Sequence, residues 1–320
     1  MSNNLNSRNI ILLGAGLMAR EYSKVLKHLG KDFIVIGKSC EGVKKFQEDT
    51  GVPALSGGIS SWSGPNTDLE YGIIAVNCEE LANTAIDLMK KGVRKILLEK
   101  PAGLTSEQIR TVSQYAKETG TWVVVGYNRR FYASVIECKK LIEDDGGVLS
   151  FNFDFTEWCD RIPKKLKNST TGKYWFLANS SHVIDMAFYL GGEPKEIYSY
   201  TTGGNQWHPT ATIFSGAGIT HSGALFSYHS NWDAPGRWGI EILTRKYRYV
   251  FRPLEKLKIL KHNTVSIEPI KIDDRLDLKF KPGLFRQTEN FLYENPKAPL
   301  LDIHKHHQNV SMFYEKIIHP

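Results

Sequence analysis

Cysteine is scarce in this 320-residue chain: Cys40, Cys78, Cys138 and Cys159 lie far apart and form no CxxC pair. Their spacing excludes a disulfide framework and a zinc site built on paired thiolates, and leaves all four expected to be reduced and structural. Long apolar runs are missing as well. No stretch approaches the roughly 20 residues of a membrane helix, so no membrane partner is expected. The opening segment, Met1 to Asn9, is polar and lacks the basic start and apolar core of a secretory leader, which makes the cytoplasm the expected location. A basic stripe is absent too. The formal charge of +7 is spread along the chain, and Lys164, Lys165 and Lys167 make only a short cluster. Nucleic acid is therefore not an expected partner, whereas small anionic molecules are.

What is present is ordinary globular chemistry, 41% hydrophobic and 23% charged residues, in a chain long enough for two domains. Between residues 10 and 125 apolar runs alternate with helical patterns, the sign of βαβ units and a parallel sheet. Strands are expected at Ile10–Leu13, Phe33–Ile36, Ile73–Val76, Ile96–Leu98 and Trp122–Val125. Helices are expected from Leu17 to Leu29, from Glu79 to Lys91 with Gly92 beyond it, and from a capping box at Thr105 to Gln108 as far as Thr119.

After Tyr127 the pattern changes to alternating, aromatic-rich stretches: Leu149–Trp158, Glu196–Thr202, Ala224–Asn231 and Gly239–Val250 read as antiparallel strands. A helix is expected at Ser181–Leu190, and a further pair from about Leu284 onward. The expected fold class is α/β. A doubly wound Rossmann domain would occupy residues 1–125, and an α+β domain with a large open antiparallel sheet residues 126–320.

Gly14-Ala15-Gly16-Leu17-Met18-Ala19 is a GxGxxA element placed after a strand and before a helix. The first glycine permits the turn, the second lets backbone approach a pyrophosphate, and Ala19 allows close packing of helix on strand. The free N–H groups of the helix start at Leu17 and Met18 suit phosphate. At the end of the second strand, where an NAD site usually carries Asp or Glu, the sequence reads Lys38-Ser39. With no carboxylate there to repel a 2′-phosphate, NADP is favoured over NAD. Lys38 reads equally well as a solvated loop lysine. Val76 and Asn77, at the exit of the Ile73–Val76 strand, join the expected cofactor contacts.

Glu99-Lys100-Pro101 leaves a strand at the edge where open α/β sheets bind ligands. Lys100 there can hydrogen-bond a hydroxyl or carbonyl and polarise it, although the tripeptide by itself is also an ordinary strand exit. Moving hydride at a carbinol carbon requires a proton to leave or reach its oxygen. Histidine suits that task near neutral pH, which brings in His182; taken alone, His182 reads as a packing or capping residue too.

Gly14–Ala19, Glu99-Lys100-Pro101, Tyr127-Asn128-Arg129-Arg130-Phe131 and Ser181-His182-Val183-Ile184-Asp185, in this order and spacing, resemble the glucose-fructose oxidoreductase, inositol dehydrogenase and MocA (Gfo/Idh/MocA) family. The resemblance implies a nicotinamide enzyme with an open-sheet second domain, often used to form homo-oligomers (dimer or tetramer). It implies that Lys100, with Glu99, lies beside the nicotinamide, and that Asn128 and Arg129 bridge cofactor and substrate regions. It places His182 in the substrate pocket. One departure stands out: many members carry Asp four residues before the histidine, and here that position is Ala178, followed by Asn179, which can orient a hydroxyl but not act as a base.

Trp158, Arg161, Lys173 and Trp175 are further candidates for substrate binding, since aromatic faces suit sugar rings and cations suit a carboxylate or phosphate. Sheet packing and a solvated loop explain each of them singly as well. The loop from Asn231 to Trp238 is expected to border the pocket or an oligomer contact. His304, His306 and His307 read as a solvated helix face; no metal is expected. The combined expectation is an NAD(P)-dependent oxidoreductase acting on a sugar, nucleotide-sugar or related polyol acid, with surface-polysaccharide synthesis as the guess from the family's range. Two alternatives stay open: a cofactor-binding sensor or assembly subunit, and a sugar lyase or epimerase that uses bound nicotinamide transiently.

Overall fold

A computed structural model describes residues 9–62 and 69–320; residues 1–8 of the polar opening segment lie outside the described residues. The chain forms two compact units, Met1–Tyr127 with Lys279–His307, and Asn128–Leu278 with Gln308–Pro320.

The first unit is built on six parallel strands: β1 (Ile10–Leu13), β2 (Phe33–Ile36), β3 (Ala54–Leu55), β4 (Tyr71–Ile74), β5 (Lys95–Leu98) and β6 (Trp122–Val125). They lie in the order β3-β2-β1-β4-β5-β6, with the short strand Leu301–Asp302 added antiparallel to β6. This is the doubly wound Rossmann order, and it reverses between β1 and β4, where a crevice opens at the strands' C-terminal ends. Every residue of β1 is buried because helices cover both faces, which explains its unbroken Ile-Ile-Leu-Leu sequence. Helix α1 (Leu17–His28) buries Tyr22, Val25 and Leu26 at helical spacing. Helices α2 (Cys40–Thr50), α3 (Leu81–Lys90) and α4 (Ser106–Thr119) complete the layers. The expected cap of α4 forms: Thr105 Oγ1 accepts from the Gln108 N–H at 3.2 Å, and Gln108 Oε1 accepts from the Leu104 N–H at 2.7 Å.

Two local boundaries differ from expectation. The strand expected at Ile73–Val76 is β4, two residues earlier, because Gly72 belongs inside it: a Cβ there would stand 2.4 Å from Leu88 Cδ2. The segment expected wholly in the second domain is divided. Residues 279–307 pack with the first unit, where Phe280 and Phe285 meet the His28 ring of α1 edge-on at 5.2 and 5.6 Å.

The second unit carries an eight-stranded sheet formed by β7 (Ser150–Asp154), β8 (Pro194–Thr202), β9 (Ile213–Thr220), β10 (Leu225–Asn231), β11 (Gly239–Leu243), β12 (Tyr247–Phe251), β13 (Lys258–Lys261) and β14 (Ile267–Pro269). The order is β14-β13-β12-β11-β7-β10-β9-β8, antiparallel except between β7 and β10. One face packs on the helix Ser181–Gly191: Phe188 meets Phe151, Phe153 and Phe226 edge-on at 5.2–6.0 Å. The register puts Tyr198, Tyr200 and Leu225 together on the other face, where all three are exposed.

The single strand expected at Gly239–Val250 is a hairpin, β11 and β12. The Thr244 N–H donates to the Tyr247 carbonyl at 2.9 Å, a turn made without the Gly or Pro that would have signalled it. Strand β9 was not expected because Gly216 and Gly218 interrupt its apolar pattern. Both are required: the rings of Tyr228 and Phe226 lie over them, 2.2 and 2.5 Å from where a Cβ would stand.

Candidate functional site

In the first unit, β1 ends at Gly14, whose N–H donates to the Ile36 carbonyl at 2.8 Å. Its φ of +119° and the Ala75 carbonyl oxygen, 2.3 Å from an ideal Cβ, admit no side chain. Ala15 and Gly16 complete the turn, and no atom lies within 4 Å of a Cβ built on Gly16, so backbone is open to approach there. Gly16 caps α1, whose first turn holds no acidic residue. Leu17 is exposed, Met18 half-buried and Ala19 fully buried against the sheet. This cradle fits a pyrophosphate: open backbone, free helix N–H groups and no competing carboxylate.

Beside it lies a cleft of about 270 Å³ lined by Leu13, Gly14, Ile36, Lys38, Val76 and Glu80, with Gly57–Ser60 along one wall. Gly14, Lys38 and Val76 thus line one cleft. One neighbour serves as a helix cap: Ser39 Oγ accepts from the Gly42 N–H at 3.1 Å at the start of α2. Asn77 precedes the short turn Cys78–Glu80 without a side-chain cap bond. The acidic side that the sequence did not reveal comes from another loop. Glu80 forms an ion pair with Lys38, whose side chain is 79% exposed, so the cleft holds a carboxylate beside the lysine.

Glu99 is buried, and Tyr22 donates its hydroxyl to Oε1 at 2.7 Å. Burial raises the carboxyl's pKa, against the Tyr22 hydroxyl and the Lys100 charge, which lower it. Glu99 is thus held at the strand exit by its hydrogen bond to Tyr22. Lys100 follows, half-buried, joined to Pro101 by a cis peptide. The exits of β4 and β5 lie side by side because the two strands pair in parallel; burial raises the pKa of the Cys78 thiol, and the charge of Lys100 works against it. His306 is a correction to the solvated-face reading. It is fully buried, its Nε2 lies 2.9 Å from the Pro101 carbonyl oxygen, and its ring is 5.3 Å from Tyr127.

The Gly14 turn supports a direct prediction. Gly14→Ala is expected to destabilise the protein by about 3 kcal/mol, from positive-φ strain and the clash with the Ala75 carbonyl. Thermal unfolding would show the loss, and a nucleotide titration should show binding abolished in the fraction that still folds.

In the second unit, His182 stands in the first turn of the helix Ser181–Gly191, nearly buried, its ring 6.3 Å from that of Trp238. A π-helical turn, Phe176–Ser180, leads into that helix. Such turns recur at functional sites because the widened backbone re-aims side chains. Ala178 is buried within it. Asn179 and Ser180 point to a group that sequence reading missed, the buried carboxylate of Glu157. Asn179 Nδ2 donates to both Glu157 oxygens at 2.9 Å, Ser180 Oγ donates at 2.6 Å, and Arg237 Nη1 lies 3.3 Å away. Burial raises the Glu157 pKa against these donors and Trp175. Its only signal in the sequence was its place next to Trp158, itself a candidate.

Trp158 is shared by Arg161 and Arg237, each 4.7 Å from its ring centre. Trp238 is shared by Arg237 at 4.3 Å and Arg129 at 5.0 Å. The structure thus links Arg129, Trp158, Arg161, Trp175, Asn179 and His182 through Glu157, Arg237 and Trp238, the last two from the loop expected to border a pocket. Asn128 is buried at the start of the turn Asn128–Phe131. Lys173 ends the short helix Thr170–Lys173, exposed and apart from this network. The neighbouring Arg130 makes a bidentate ion pair with Asp185 at 2.7 and 2.8 Å, joining two of the four motifs that carry the family resemblance.

Residues 8–127 match the family described as an oxidoreductase family with an NAD-binding Rossmann fold. Scyllo-inositol 2-dehydrogenase (NADP(+)) IolW of Bacillus subtilis is 26% identical over 109 residues, 32% of this chain and 30% of that protein. Rhizopine catabolism protein MocA of Rhizobium meliloti is 27% identical over 168 residues, 50% of this chain and 49% of that protein. The chain therefore spans half or less of the length of these curated relatives. Among solved structures, levoglucosan dehydrogenase in complex with NADH and L-sorbose aligns over 97% of this chain and 95% of its own, with a TM-score of 0.76 and 19% identity, a likeness of fold. Residues 8–127 are thus similar to the NAD-binding Rossmann domain of the Gfo/Idh/MocA oxidoreductases.

Proposed function

We propose that this chain is an NAD(P)-dependent oxidoreductase that moves hydride between nicotinamide and a hydroxyl or carbonyl carbon of a sugar, nucleotide-sugar or related polyol acid. The observation that carries it is the Gly14–Gly16 cradle opening onto α1 in a sheet whose β5 exit presents Lys100. The matched relatives, an inositol dehydrogenase and a rhizopine catabolism protein, support small polyol chemistry.

The bound nicotinamide would supply hydride exchange. The chain's own residues do the rest. Gly14, Ala15, Gly16, Leu17 and Met18 hold the pyrophosphate through backbone N–H groups, and Lys38, Ser39, Val76 and Asn77 meet the adenosine end. Glu99 fixes the strand exit, and Lys100 donates to the reacting oxygen and stabilises charge growing on it. His182 takes or returns the proton, while Asn179, held by Glu157, orients a neighbouring hydroxyl. Asn128, Arg129, Trp158, Arg161, Lys173 and Trp175 shape binding. The exposed Tyr198, Tyr200 and Leu225 favour a homo-oligomer joined through the open sheet face. Cytoplasmic location and a role in surface-polysaccharide sugar synthesis are the finer parts of this reading.

Ala178 favours a second reading: cofactor bound without net turnover, as in a sensor, or used transiently in a lyase or epimerase. A titration with NADPH and NADH, followed by a sugar and nucleotide-sugar screen read by nicotinamide absorbance, separates the two. Binding with turnover supports the oxidoreductase, binding without turnover supports the second reading, and failure to bind either nucleotide ends both. Because Glu80 competes for Lys38, Glu80→Gln is expected to shift preference toward NADPH by about three- to tenfold. An unchanged ratio would remove Lys38 from the 2′-phosphate site.

A further inference from the structure

Arg129, Arg161 and Arg237 stand out by their electrostatic imbalance. Among the described residues Arg161 makes no ion pair, and Arg237 is paired only with Glu157 at 3.3 Å. Glu157 is already engaged by Asn179 and Ser180. Arg129 Nε is buried without a hydrogen-bond partner. So is the indole Nε1 of Trp238, a residue only 5% exposed. Buried donors of this kind cost free energy unless something accepts from them.

The aromatic contacts say where the acceptor sits. A guanidinium held over a ring uses its flat face, so its N–H groups remain directed outward in its own plane, the geometry that grips an oxyanion bidentately. Arg237 contacts both Trp158 and Trp238, which confines its guanidinium between two rings, and Arg161 and Arg129 extend the series on either ring. Gathering three guanidinium groups costs repulsion that one carboxylate, Glu157, offsets only in part. Asp160, on the turn Cys159–Arg161, is exposed and makes no ion pair among the described residues. The following segment adds Lys164, Lys165, Lys167 and Lys173 with no further acid before Trp175.

We propose that Arg129, Arg161 and Arg237, ordered by Trp158 and Trp238, form an oxyanion subsite, so that the substrate carries a carboxylate or a phosphate close to the carbon that reacts. This deepens the oxidoreductase reading and rests on it for the meaning of "substrate". The closeness follows from the His182 ring, 6.3 Å from the Trp238 ring, a span comparable to one sugar ring.

The test is calorimetric titration of the full chain with glucose, glucuronate and glucose 6-phosphate, each with and without NADPH or NADH, at low and at physiological salt. The expected result is that one or both anions bind at least about tenfold tighter than glucose, with salt weakening the anion alone. Whether glucuronate or glucose 6-phosphate gains more tells carboxylate from phosphate. Arg161→Ala, at an exposed position, is expected to leave thermal stability unchanged and to reduce the preference severalfold. Arg237→Lys, which keeps the charge but loses the planar fork, should reduce it as well.

Equal affinity for glucose and both anions, no measurable binding of either anion, or a preference that survives in both variants would overturn the subsite. The two proposals can fail separately. Anion preference without nucleotide binding keeps the subsite and ends the oxidoreductase reading, whereas nucleotide binding and turnover of neutral sugars without anion preference does the reverse.

Discussion

Lys100→Met is expected to lower kcat by about a thousandfold while changing NAD(P)H affinity by no more than about threefold. A cation that donates to the reacting oxygen matters most when charge has grown there, so its loss falls on kcat more than on binding. Methionine keeps much of the stem's volume and leaves the buried Tyr22–Glu99 hydrogen bond in place, so the fold should persist. His182→Ala is expected to cost about a hundred- to ten-thousandfold and to flatten the pH profile of kcat, because the proton route is lost and not merely weakened. Steady-state kinetics with the substrate from the screen, set beside nucleotide titrations of the same variants, would check both. Full activity in Lys100→Met would remove Lys100 from the chemistry and leave the work on the reacting oxygen to His182.

The second large effect concerns folding. Asp185 is 1% exposed at its side chain and Arg130 12%, and each satisfies the other bidentately. Burial disfavours the Arg130 charge, but the Asp185 carboxylate more than offsets this and raises the Arg130 pKa. Asp185→Ala is therefore expected to destabilise the protein by about 3–5 kcal/mol, because the remaining guanidinium is left buried and unpaired. In a unit of this size that lowers Tm by about 10 °C, measurable by calorimetry. The double variant Arg130→Met, Asp185→Leu is expected to recover most of the loss, since a buried pair replaced by apolar groups of similar volume costs little. If the double variant were as unstable as the single, the pair would be doing more than neutralising itself, and Asp185 would need a role at the helix that carries His182.

The first unit was legible because its signals are local. β1, β2 and β6 stand where their apolar runs do, and the capping pattern at Thr105 marks a helix start. A strand buried on both faces needs only apolar side chains, and a helix start needs its own cap, so each of these elements announces itself within a few residues. Where an element's sequence depends on a distant neighbour, reading failed. Gly72, Gly216 and Gly218 look like strand breakers until Leu88, Tyr228 and Phe226 are seen to occupy the space a side chain would need. Thr244 turns a hairpin that residue type alone does not announce.

The candidate site divides in the same way. Gly14, Gly16, Lys100 and His182 could be singled out from the sequence because phosphate approach, a strand-edge cation and a helix-start histidine are local requirements joined to recognisable motifs. Lys38 could be found as well, but not its partner: Glu80 is 42 residues away and meets it only because β2 and the loop after β4 end at the same edge of the sheet. Glu157, Arg237 and Trp238 carry no motif. They matter through pairings across 22 and 80 residues, from Asn179 to Glu157 and from Arg237 to Glu157, which the sheet brings together. The sequence by itself determined the doubly wound class of the first unit and the pyrophosphate turn, since these rest on backbone geometry and periodic burial. Only the tertiary structure decided which charges are paired and which are left unpaired. Electrostatic partnership depends on distance in space, and chain order does not set that distance.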